Sequence, residues 1–550
     1  MSKKAKLFYL YIVLLGTILH SSVWATTTVQ SDSNASCCSG CARSQNLWQP
    51  HAFSVSMSRE VILEKPAWIN TTDVEGWNGT FGVGFEFMKN WGENCKCEPK
   101  HCCTSLGSMP FWASNKTNQM TVGDNSGDYD LDAYQMGMGP VTTNGTVRLD
   151  PSVYQTGGAF LLYIGSHRTE RGFFVKFHAP VGLTGVNPRI SDAGDLISTT
   201  YAANEISSEQ AAPLYENIKK AFAGGVAAGD LRAMQFGRID CQRTSSVKFG
   251  DLEFSIGYNL YADEVKHLGL AVRFSAPTGN KANGIYVLEP IFGRNGHWAA
   301  GGELMSHWRI WEADRDDCYI DLWFDGVLEH LFNSNHIRSF DLKKNGFGSK
   351  YLLAAKYTGT PGVYQNEISN VINLTTLPVE STFAVEGNFA LMFDTHIRNW
   401  SVGFGYEGWG RSCESLKMDC SCPGNINLSD WAILGRQQIA HTVSSTTVAL
   451  CEPTAMIGKS QDATDVATAT IVTATDIKNR IPQDLSQAID IDAQRAHAAY
   501  TSKAFAQIAY TFKDSDYCPY LSLSGSGEFN HFYNNAVNFW SVGLQGGLSF

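Results

Sequence analysis

The sequence predicts an all-β fold: a transmembrane antiparallel β-barrel of about twelve strands, within a range of about twelve to sixteen, carrying long external loops. Three observations carry that prediction. Many segments of roughly ten residues alternate apolar with small or polar side chains at a period of two. Their connections alternate short and long along the chain. Beyond the first 25 positions no run of about 18 apolar residues occurs, so no membrane-spanning helix competes with the strands.

Taken in order, the chain opens with Lys3, Lys4 and Lys6, then an apolar run from Leu7 to Leu19 and Val23-Trp24-Ala25. This is the pattern of a signal peptide over 1–25, cleaved near Ala25, and the run is too short to stay behind as an anchor. The net charge of −11 excludes a nucleic-acid footprint, which would be basic. The 12% of aromatic residues and 51 glycines suit strands whose apolar residues come one in two.

Export places the 14 cysteines in an oxidising compartment, where disulfides are the default. Those expected to form them are Cys95, Cys97, Cys102 and Cys103 in one loop, and Cys413, Cys420 and Cys422 in another. Their connectivity cannot be read from spacing. The close pairs Cys95-x-Cys97 and Cys420-x-Cys422 do not have zinc-ribbon spacing, and no metal site is assigned.

Residues 26–79 are mixed and are read as a periplasmic or lumenal segment, with room for an extra strand where Phe53, Val55 and Met57 alternate weakly. The barrel is placed at 80–550. Phe81, Val83, Phe85 and Phe87 share its first apolar face. An apolar run at 158–165 follows, then a strand with Phe173, Val175 and Phe177 on one side. The clearest pair has Leu252, Phe254, Ile256, Tyr258 and Leu260 on one strand and Leu268, Leu270, Val272 and Phe274 on the next. Further hairpins span 302–311 with 318–328, 381–393 with 398–409, and 504–513 with 518–528. The insert after the third strand contains Pro213 to Gly224, a short helical pattern stopped by Gly-Gly.

Short connections fall at 166–171, 262–266, 312–317, 394–397 and 514–517. Long loops fall at 92–157, 182–250, 278–301, 329–380 and 410–503, with a shorter one at 529–537. Strict alternation of the two kinds holds for an even strand count with both chain ends on the short-turn side. It requires the strand-like stretches 284–292 and 350–357 to lie in loops.

The final strand is the most telling. Trp540, Val542, Leu544, Leu548 and Phe550 line an apolar face opposite Ser541, Gly543, Gln545, Gly547 and Ser549. Ending on an aromatic residue, it resembles the closing strand of porin-like outer-membrane barrels of Gram-negative-type bacteria. Cysteine richness is similar to that of the major outer-membrane proteins of some intracellular bacteria. That resemblance implies a porin with a structural role, seated in outer-membrane lipid by the barrel-assembly machinery. Because an open sheet edge in lipid leaves backbone groups unsatisfied, this strand is expected to pair with the one starting near Thr80.

No G-x-S-x-G, H-E-x-x-H or phosphate-binding glycine loop occurs, and neither an enzyme nor a cofactor is expected. The faces opposite the apolar ones would line a pore: Glu86, Lys176, His178, Asp251, Glu253, Arg273, Glu303, His307, Arg309, Asp321, Asp325, Glu386 and Glu407. Acids outnumber bases in this set, which favours cations in a water-filled lumen. The expected function is passive diffusion of small hydrophilic solutes. The alternative is a structural or adhesive surface barrel with disulfide-stiffened loops. Oligomeric state stays open, a homo-oligomer included.

Overall fold

The computed structural model describes residues 51–69, 76–91, 119–123, 130–139, 141, 144–167, 171–193, 200, 212–313, 318–346, 348–358, 363–419, 427–434, 438–443, 446–451, 472–473, 480–515, 517–530 and 537–550. Twelve of its strands close into an antiparallel barrel. In chain order they are β1 (Gly76–Asn90), β2 (Ser152–His167), β3 (Gly172–Asn187), β4 (Asp251–Ala262), β5 (Lys266–Pro277), β6 (Ala299–Glu312), β7 (Cys318–Ser339), β8 (Thr376–Ile397), β9 (Trp400–Arg411), β10 (Ala499–Thr511), β11 (Tyr520–Asn530) and β12 (Phe539–Ser549).

Each strand pairs with its chain neighbour, and β12 returns to β1 from Thr80↔Ser549 to Asn90↔Phe539. The expected closure is therefore present, and it leaves the barrel no free edge. Outward side chains are those of the apolar faces: Phe85, Leu270, Phe404, Leu523 and Leu544 are about half exposed or more, as lipid-facing groups should be. Trp540, Val542, Leu548 and Phe550 face outward with Leu544. Their interleaved neighbours Ser541, Gln545 and Ser549 are buried.

The two loop-assigned stretches lie outside the barrel. Residues 284–292 form no strand, and Leu353–Thr358 belongs to a separate small sheet with Val363–Asn370 and Trp431–Ile433. The insert helix forms over Ile218–Ala223, where the Asn217 side chain accepts from Lys220 N and Gly224 ends it at φ 61°. Pieces of different long connections share one apolar core at the long-loop end. Met120, Val122, Val147, Phe222, Phe292, Tyr351 and Ile372 belong to it.

One expectation is corrected. The weak alternation around Phe53 is no strand. Phe53–Val55 is a short 3₁₀ turn, followed by α1 (Met57–Glu64) and a single further turn, Pro66–Ile69. The strand reading failed because the groups that start α1 come from elsewhere. The backbone N–H groups of Met57 and Ser58 each donate to the Glu407 carboxylate of β9, at 3.1 Å. A carboxylate there satisfies otherwise unpaired donors and the positive end of the helix.

Of the expected disulfide cysteines, Cys95, Cys97, Cys102, Cys103, Cys420 and Cys422 lie outside the described residues. Cys413 is described, half-buried just past β9.

Candidate functional site: a helical plug in the lumen

Every residue of α1 is buried. The helix touches β1, β2, β7, β8, β9 and β12 and forms ion pairs with β3 and β5, so it lies inside the barrel. A barrel interior otherwise open to water is thus filled by the chain's own N-terminal segment.

Two lysines, two arginines and their acids hold it. Arg59 reaches Glu86 of β1 at 2.9 Å. Glu60 takes both arms of the Arg273 guanidinium, each at 2.8 Å, a bidentate geometry that fixes angle as well as distance. Lys176 of β3 contacts Glu64 at 3.0 Å and Glu60 at 3.5 Å, and pairs with Glu303 of β6. Lys65, just past the helix, bonds Asp394 at 2.8 Å and Ser401 Oγ at 2.9 Å. Removing one partner of a buried pair costs about 3–5 kcal/mol, because the other is left charged and unsolvated.

The residues expected to line a pore are brought together here. Glu86, Lys176, Asp251, Glu253, Arg273, Glu303, Asp325, Glu386 and Glu407 are all buried in the interior. Glu253 pairs with Arg273 and accepts from His178 Nδ1 at 2.6 Å. Asp251 accepts from Ser54 Oγ at 2.7 Å, and Asp325 from the Ser306 N–H at 3.2 Å. His307 stacks on Trp323 nearer the short-turn end. There Asp321 meets the partly exposed Arg309 at 3.4 Å.

The expectation of an open acidic wall is corrected by the bases it left out. Arg294, in the connection before β6, pairs with Glu329 at 2.6 Å and Glu386 at 2.9 Å. Lys503 of β10 holds Glu407 at 2.9 Å. Arg59 and Lys65 come from the plug itself. Lys503 was legible: it alternates in phase with Thr501, Phe505 and Gln507 on the buried face of its strand. Arg294 carried no such signal, since it sits on no strand.

Glu60, His178 and Glu253 place donor atoms within 4.8 Å of one another, the spacing of a metal site. The Arg273 guanidinium already bonds both carboxylates and supplies the positive charge that a metal would bring. The cluster is an ion-pair node, and no metal is assigned to it.

No family profile matches the chain, and no curated protein does. Among solved structures, the chain is similar to the COG4313 outer membrane channel from Pseudomonas putida F1, at 10% identity over 87% of this chain and 96% of that one, with a TM-score of 0.34. It is similar to the toluene transporter TodX from Pseudomonas putida, at 8% identity over 93% and 97%, with a TM-score of 0.30. For the toluene transporter TbuX from Ralstonia pickettii the values are 8% identity, 93%, 98% and 0.28. These neighbours are outer-membrane barrel proteins; at such identities residue roles do not transfer between the chains.

Proposed function

We propose that this chain is an outer-membrane channel for small hydrophilic solutes whose lumen is gated by α1. The observation that carries the reading is the chemistry of the plug's seat. Arg59, Glu60, Glu64 and Lys65 meet the wall through ion pairs and hydrogen bonds. Buried ion pairs gain little net energy over their hydrated forms, so the polar part of the plug's seat is exchanged for water at modest cost, while Val61, Ile62, Leu63 and Trp68, packed with Leu161, Phe174 and Trp323, supply the main cost of opening. The lumen it leaves behind is polar and wettable, as a conducting barrel requires. The apolar outer belt and the export-type leader support the outer membrane as the location.

With residues 51–69 withdrawn, Glu60 and Glu64 leave together with Arg59 and Lys65. The wall then keeps Glu86, Asp251, Glu253, Glu303, Asp325, Glu329, Glu386, Asp394, Glu407 and Glu528 against Lys176, Arg273, Arg294, Arg411 and Lys503. The open state is weakly cation-preferring on this balance.

Planar-bilayer recordings test the proposal. Wild type should show infrequent openings, and a variant lacking residues 51–69 a larger, steady conductance. In a salt gradient the deletion variant's reversal potential should have the cation sign. A heat-modifiable, correctly inserted deletion variant that passes no current would refute the channel. A second reading, a permanently sealed structural or adhesive barrel, draws on the shared apolar core of the long connections. It predicts a silent wild type beside a conducting deletion variant.

A further inference from the structure

Three inward-facing residues at the long-loop end of the lumen form one row across the sheet. In register, Glu329 of β7 stands opposite Glu386 of β8, and Glu386 stands opposite Arg411, the last residue of β9. All three are more than nine-tenths buried. Directly opposed side chains start about 4.5–5.5 Å apart, within easy reach of an ion pair. Yet Arg411 and Glu386 do not pair. Glu386 Oε1 lies 2.9 Å from Arg294 Nε, an ion pair without hydrogen-bond alignment, and Arg294 Nη2 holds Glu329 at 2.6 Å. The Arg411 guanidinium lies 4.2 Å from the centre of the Phe383 ring and 5.6 Å from that of Trp409. Among the described residues its Nε and Nη2 have no hydrogen-bond partner, and neither has Oε1 of Glu386 or Oε1 of Glu329.

An interior arginine with two unused donors is costly, and buried donors in folded proteins find acceptors. Nε and Nη2 lie on one edge of the guanidinium, the edge with which Arg243 holds both oxygens of Asp240. That edge fits one carboxylate. The unused Glu386 and Glu329 oxygens beside it only accept, and suit an ammonium. Arg294 and Arg411 together balance Glu329 and Glu386, so a lone anion or a lone cation would bring an uncompensated charge into the interior. A zwitterion brings none. We propose that this row is a binding site for small zwitterions of the α-amino-acid type, with the carboxylate on Arg411 and the ammonium on Glu386 and Glu329. The site lies where the plug begins. Residues 51–69 run from the long-loop end, where His51 bonds Glu528 and stacks on Trp409, to the short-turn end, where Lys65 bonds Asp394. The proposal deepens the channel reading by naming a solute class, and rests on it only for the ligand being in transit.

Saturation-transfer NMR on the detergent-folded full chain tests it with L-alanine, L-alaninamide and N-acetyl-L-alanine. These carry both charges, the ammonium alone and the carboxylate alone. L-Alanine should bind, and each derivative at least about tenfold more weakly, the loss of one charge-assisted contact. Arg411→Gln should weaken L-alanine by a similar factor and close its gap from L-alaninamide. Glu386→Gln should narrow the gap from N-acetyl-L-alanine. The wild-type series decides even where a variant fails to fold. N-Acetyl-L-alanine binding as tightly as L-alanine would leave an anion site only, and L-alaninamide doing so a cation site only; either overturns the proposal. So does the absence of L-alanine binding. Planar-bilayer current is read separately. A barrel that binds L-alanine but passes no current refutes the channel and keeps the site, whereas a conducting barrel that binds none refutes the site alone.

Discussion

Lys176→Met removes the cation on which the plug's C-terminal half is seated. In the plugged state Lys176 serves Glu60, Glu64 and Glu303. Arg273 still covers two of these, with both arms on Glu60 and Nη1 at 3.4 Å from Glu303. Glu64 is the one left alone: its Oε2 bonds Lys176, and its Oε1 has no hydrogen-bond partner among the described residues. The loss is therefore one uncompensated carboxylate, at the low end of the usual range, about 3 kcal/mol. That cost falls on the plugged state, because a withdrawn Glu64 is hydrated. At about 1.4 kcal/mol per tenfold, the open-to-plugged ratio rises roughly a hundredfold. Single-channel recording of the open fraction measures it directly. Adding Glu64→Gln should return most of the effect, since the amide needs no counter-charge, and the double-mutant cycle isolates the pair. An open fraction unchanged from wild type in a correctly folded Lys176→Met barrel would refute the reasoning. So would a double variant that stays as open as the single one.

Other predictions concern assembly and the loops. Leu544→Glu puts an acid on the lipid face opposite Phe85 and Leu523, at up to about 2 kcal/mol, and should lower the yield of heat-modifiable barrel. Gly157 and Gly182 meet backbone to backbone between β2 and β3, so that a Cβ on Gly157 falls against the Val181 carbonyl. Gly157→Ala should therefore destabilise the barrel by about 1–3 kcal/mol, read as a lower temperature of heat modification. Beyond β9, Glu414 would have a raised pKa from burial alone, yet Arg338, which grips both its oxygens, holds it at about 2. The folded pKa is below the ordinary 4.5, so the pair's contribution is present above that value and fades as pH falls toward 2. Protease sensitivity of the 414–418 strand should rise across that window, and Glu414→Gln should make it independent of pH there.

Much of the barrel was legible because its two solvents write on alternate residues. Phe81, Val83 and Phe85 had to suit lipid while Gly82, Gly84 and Glu86 suited a packed interior, and a strand cannot hide that period. Closure of β12 on β1 follows from the cost of an edge in lipid. The plug was not legible for a matching reason. Met57–Glu64 has neither lipid nor bulk water on any face, so its sequence shows no amphipathic stripe. The spacing of Glu60 and Glu64, one helical turn apart, was the only local hint that both could reach one lysine.

The sequence by itself determined the barrel: an even strand number of about twelve, which face meets lipid, the alternation of short and long connections, and the strand that closes it. Each depends on local period and on a membrane that treats every strand alike. Only the tertiary structure decided what fills the lumen and which way residues 51–69 run through it. Arg59 finds Glu86, Glu60 finds Arg273, and Lys65 finds Asp394 across separations of 27, 213 and 329 residues. A charge can be read from sequence, but its partner is set by how the barrel brings distant strands to one point.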